Sequence, residues 1–128
     1  MTGHAVLPPR WRILFFGGGL ASVLLFALWP RPPAIPYLAS DSSQHAAAFM
    51  LLTLAARACW PKTGWWQLFA GLAGFGLAIE VLQDLAPTGR KAELHDWQID
   101  CAAIGVTLAL DAVGCKVRRW LRRPANKP

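Results

Sequence analysis

Four apolar stretches, each close to the thickness of a bilayer and each ended by proline or by charge, leave this chain few ways to fold. A hydrocarbon core of about 30 Å takes roughly 20 residues of helix to cross. The first stretch runs from Trp11 to Trp29, after Arg10 and Arg12. Pro30-Arg31-Pro32-Pro33 stops it, because proline cannot continue a helix. This run is long for a signal peptide, and Tyr37-Leu38-Ala39-Ser40 makes a poor cleavage site, so it reads as a retained membrane helix. The second begins near Ser40 or Asp41, either of which can cap it, and ends at Trp60-Pro61. The third extends from Trp65 to about Ala86, before Pro87. It carries Gly71, Gly74 and Gly76, small residues that in lipid let neighbouring helices come close. The fourth opens near Asp96 and continues to about Val117. Trp11, Trp29, Trp60, Trp65, Trp97 and Trp120 fall near these ends, the positions of an interfacial aromatic belt. The expected fold is all-α: one membrane domain of four transmembrane helices over residues 1–128, with a basic tail from residue 116.

Composition agrees. Hydrophobic residues make up 55% of the chain, more than one modest soluble core of this length needs. The net charge is +6, and much of the excess follows the last apolar run as Lys116, Arg118, Arg119, Arg122, Arg123 and Lys127. Placed there, it reads as an anchor to anionic headgroups, and nucleic acid is not expected as a partner. The same bias puts both termini in the cytoplasm and the first and third connections outside it. Cys59, Cys101 and Cys115 form no CxxC pair and read as packing residues.

This topology concentrates polar chemistry at one end. Asp41 and His45 open the second helix four residues apart, so they share a face. Glu80 and Gln83 lie near the end of the third, Arg90 follows in the connection, and Asp96 and Asp100 open the fourth. Alternating helix directions carry all three groups to the outer side. Lipid penalises any of them that faces outward, so they should turn into the bundle. They could form separate interhelical salt bridges, with Glu80 paired to Arg90, or one site. Asp111, nearer the other end, could pair with Arg57 or Lys116.

At these residues the sequence resembles the VanZ-like family of small polytopic membrane proteins. The likeness rests on Asp41 and His45, on Glu80-Val81-Leu82-Gln83, on Arg90 before Asp96, and on Asp96 with Asp100. It covers about residues 40–110. Ser42 stands where the family often has lysine, Asp100 where it usually has asparagine, and Ala103 where glycine is common. The resemblance implies a bacterial envelope protein in a family named for a member linked to resistance to the glycopeptide teicoplanin. It implies no particular reaction.

The chemistry of the cluster suggests roles. His45, Glu80, Asp96 and Asp100 are the candidate acid–base residues, since an imidazole beside carboxylates suits proton transfer. Asp41, Gln83 and Arg90 are candidate substrate-binding residues, the guanidinium suiting a phosphate or carboxylate. The expected partner beyond the bilayer is a lipid-linked phosphate or sugar headgroup. The same oxygens could hold a divalent cation, magnesium or calcium among carboxylates or zinc with the histidine. A binding module without chemistry, and a proton or ion relay, remain alternatives. No GxSxG nucleophile and no Gly-rich phosphate loop is present.

Overall fold

The computed structural model describes residues 8–30, 35–38, 40–87, 89 and 91–123. Four α-helices account for most of them: α1 (Pro9–Ala27), α2 (Asp41–Cys59), α3 (Trp65–Leu85) and α4 (Leu94–Leu121). Prolines set several boundaries. Pro9 sits in the first turn of α1, where its missing N–H is no loss, so this helix begins two residues before Trp11. It also ends short of Trp29, because the residue before Pro30 is disfavoured in helical conformation. Ala86, before Pro87, is extended (φ −82°, ψ 141°), which closes α3. Ser40 caps α2 by accepting a hydrogen bond from the Ser43 N–H at 3.1 Å. At the start of α3, Gln67 Oε1 accepts from the Gly64 N–H at 3.1 Å.

Helix α4 begins two residues before Asp96 and continues past Val117. Its 28 residues span about 42 Å, more than a hydrocarbon core, so its last turn with Arg118 and Arg119 extends beyond the apolar segment. Three helices, α1, α3 and α4, are long and apolar enough to cross a membrane, where the sequence leads one to expect four. The difference is α2. It has the length, but Asp41, Ser42, Ser43, Gln44, His45 and Arg57 dilute its apolar character.

Position compensates for composition. Helix α2 lies along α4, α3 packs on the same helix, and α1 leans on α2 at the edge. Phe49 and Leu52 of α2 meet Leu72 and Ile79 of α3 and Ile104 and Leu108 of α4 in a continuous core. Outside it, Ile13, Leu14, Phe15 and Leu25 of α1 and Leu110 and Val113 of α4 are exposed. Apolar surface of this extent needs lipid or protein to cover it. Trp11, Trp29, Trp65 and Trp120 are exposed at helix ends, as a belt requires. Trp60 and Trp97 depart from that pattern. Trp60 meets Phe16 edge-on at 5.2 Å, and Trp97 Nε1 donates to the Ala73 carbonyl at 2.9 Å, so both are packing residues.

Of the three α3 glycines, only Gly76 makes a close approach. A Cβ there would lie 2.9 Å from Asp100 Oδ2 and 3.3 Å from the Phe49 ring, whereas Gly71 and Gly74 have nothing within 4 Å.

Candidate functional site

The α2–α4 interface carries polar pairs at both ends. At one, His45 Nδ1 lies 3.1 Å from Asp100 Oδ1, with His45 buried and Asp100 wholly so. At the other, Arg57 Nε donates to Asp111 Oδ2 at 2.8 Å, and Arg57 also donates to the carbonyls of Pro61 and Thr63. Asp111 thus takes Arg57 as its partner.

The His45 end gathers residues from three helices. Glu80 of α3 is buried, and its Oε2 accepts from the Glu93 backbone N–H at 2.7 Å. Ligand-capable atoms of His45, Glu80 and Asp100 lie within 4.8 Å of one another. The same holds for Asp41, His45 and Asp96. Five expected residues, Asp41, His45, Glu80, Asp96 and Asp100, therefore meet around one imidazole. His45 is shared by both groups, because its ring fills the gap between α2 and α4 one turn inside Asp41.

Two expected members stand apart. Gln83 is buried, but its amide donates to the Ala27 carbonyl at the end of α1, 2.9 Å away. The last carbonyls of a helix lack partners within it, so this bond satisfies one of them and ties α1 to α3. Arg90, and with it the expected pairing to Glu80, lies outside the described residues.

Ser42 is an addition. Ser40 caps α2, which leaves Ser42 Oγ to donate to Asp96 Oδ1 at 2.8 Å. Its position one residue after Asp41, facing the start of α4, carries no distinctive sequence signal. Gly76 is the other. It precedes Glu80 by four residues and so shares its face, leaving space that the Asp100 carboxylate enters. His95 and Gln98 are exposed at the rim.

Not every acceptor in the cluster is used. Glu80 Oε1 and Asp100 Oδ2 are buried without a hydrogen-bond partner among the described residues. Buried polar atoms in native proteins are almost always satisfied, so these two oxygens mark an incomplete arrangement.

A cavity of about 760 Å³ adjoins the cluster between α1 and α2. Its walls are mostly apolar, with Phe15, Val23, Phe26, Leu52 and Ile79 among them. Asp41, Gln44 and His45 form its polar end. Over it sits a turn in which Ile35 and Leu38 pair, held by Gln44 Nε2 donating to the Leu38 carbonyl at 3.2 Å.

Further along the α2–α4 interface, buried Thr53 and Thr107 donate to carbonyls of their own helices, Phe49 and Ala103. Wholly buried Phe49 and Ile104 lie between them and the His45 cluster. His45 and Thr53 are eight residues apart, about 12 Å along the helix. The described residues therefore offer a proton or ion relay no continuous polar path.

No family model matches the chain, and no curated protein or solved structure matches it.

Proposed function

We propose that this chain is a four-span membrane protein of the VanZ-like kind that binds the headgroup of a lipid at its extracytoplasmic face. The observation that carries the reading is the cavity: an apolar trough between two helices, ending at Asp41, Gln44 and His45 beside a buried acidic cluster. Its volume is that of a small-molecule site. In a bilayer such a trough suits a hydrocarbon chain, and the polar end suits what the chain carries. Helix α2 serves as the fourth span. At 19 residues it covers about 28 Å, and it turns His45 and Arg57 toward α4. The positive-inside rule then places both termini in the cytoplasm and the His45 end outside.

The chemistry of the described cluster favours a hydroxyl-bearing headgroup. Carboxylates accept hydrogen bonds from sugar hydroxyls and repel phosphate. A phosphate requires Arg90 or a cation as well. His45 and Glu80 have the positions for acid–base work on such a headgroup, while a binding module would use the same contacts without turnover.

Lipid retention tests this reading. The purified chain in nanodiscs of bacterial lipid extract should retain a lipid detectable by native mass spectrometry. Ala48→Trp, which fills the trough, and His45→Ala, which alters its polar end, should each reduce retention roughly tenfold. Equal retention by the filled variant would refute the proposal. The link to glycopeptide resistance is checked separately: expression in a susceptible host should lower teicoplanin susceptibility, and no change would remove that link.

A further inference from the structure

We propose that His45, Glu80 and Asp100 form a binding site for one divalent cation, and that the donor set selects zinc. The proposal does not depend on the lipid reading: His45 belongs to both sites, but Glu80 and Asp100 do not line the trough.

The triad supplies one imidazole and two carboxylates from three helices, with donor atoms within 4.8 Å of one another. Zinc takes histidine nitrogen and carboxylate oxygen at about 2.0–2.2 Å, so a contraction of roughly an ångström brings such a set around one ion. The independent observation is the pair of unused oxygens. Glu80 is 5% exposed and Asp100 0%, yet Glu80 Oε1 and Asp100 Oδ2 have no partner among the described residues. Asp100 Oδ2 is turned toward α3, into the space that Gly76 leaves one turn from Glu80. Among the described residues, two buried carboxylates face one imidazole, which can balance at most one of them. A divalent ion neutralises both and completes their coordination, and its binding displaces any proton that the ligand atoms carry.

Imidazole nitrogen favours zinc over magnesium and calcium, which prefer oxygen throughout. The second group, Asp41, His45 and Asp96, is the weaker choice. Asp41 is exposed, and Asp96 Oδ1 already accepts from Ser42. The Glu80–Glu93 hydrogen bond fixes one oxygen of Glu80 and gives the buried set the outer-shell support that metal ligands commonly have. With three protein ligands the ion keeps an open position, as catalytic zinc sites do.

The test uses the full chain in detergent, stripped with a chelator and then offered Zn²⁺ alone or Mg²⁺ alone. One zinc per chain should remain after gel filtration, measured by elemental analysis, with no comparable retention of magnesium. X-ray absorption should show nitrogen and oxygen neighbours without sulfur. Glu80→Gln and Asp100→Asn, which keep side-chain shape, and His45→Ala should each weaken zinc binding roughly tenfold or more. Arg57→Gln, at the other end of the interface, should leave it unchanged. A monodisperse, helical wild-type protein that retains no zinc would overturn the site. Undiminished binding in all three variants, sulfur ligation by the cysteines, or a preference for magnesium would overturn the assignment equally.

Discussion

The two ends of the α2–α4 interface use the same chemistry in opposite proportions. At the Arg57 end, one arginine meets one aspartate, and Arg57 also donates to two backbone carbonyls. Both side chains keep about a quarter of their surface exposed, 23% and 24%. At the other end, several carboxylates crowd one histidine, and two buried oxygens have no partner among the described residues. A balanced, partly exposed pair is what helix packing needs. A buried one that is unbalanced among the described residues is poor helix glue unless a proton or a cation offsets its excess acid. Residue types alone do not separate structural polar groups from functional ones in a membrane bundle; charge balance and burial do.

Substitutions can break this comparison. The largest loss should come from His45→Ala. It removes the partner of a wholly buried carboxylate, a change that costs about 3–5 kcal/mol when a buried pair is broken. Unfolding in mixed micelles measures it. Arg57→Ala should cost much less, about 1 kcal/mol, because Asp111 remains in reach of solvent. Equal losses at the two ends would show that burial does not distinguish them.

Between these lies Gly76→Ala. The added methyl must displace Asp100 Oδ2 or the Phe49 ring, and overpacking of this kind costs about 1–3 kcal/mol. Gly74→Ala, with open space at its Cβ position, should be neutral or stabilise the helix by up to about 1 kcal/mol. The same unfolding assay compares them. A harmless Gly76→Ala would mean that the Asp100 carboxylate has room to move, which weakens the view that α3 positions it.

Much of the fold was legible because its signals are local. Proline stops, the Ser40 cap and runs of membrane length define helix extents within a few residues. The convergence of Asp41, His45, Glu80, Asp96 and Asp100 was also legible, since helical periodicity and alternating direction place them on one side. Gln83 shows where that reasoning ends. Its spacing from Glu80 resembles that of a site residue, yet its amide serves the end of α1, a need that no residue near it in sequence reveals. Ser42 reaches across to Asp96 of α4, a contact that nothing near it in sequence signals. Trp60 and Trp97 sit at belt positions in the chain but point into the packing.

By itself, the sequence determined the four helices, their order and the end of the bundle at which acid collects, because hydropathy, proline and the 3.6-residue repeat act within a single segment. Only the tertiary structure decided which of those acids meet His45, which oxygens find no donor among the described residues, and that Gly76 alone among the α3 glycines makes room for a neighbour. Those outcomes depend on how far each helix is rotated and how closely two helices approach. Side chains distant in sequence set both together, so no single segment encodes the result.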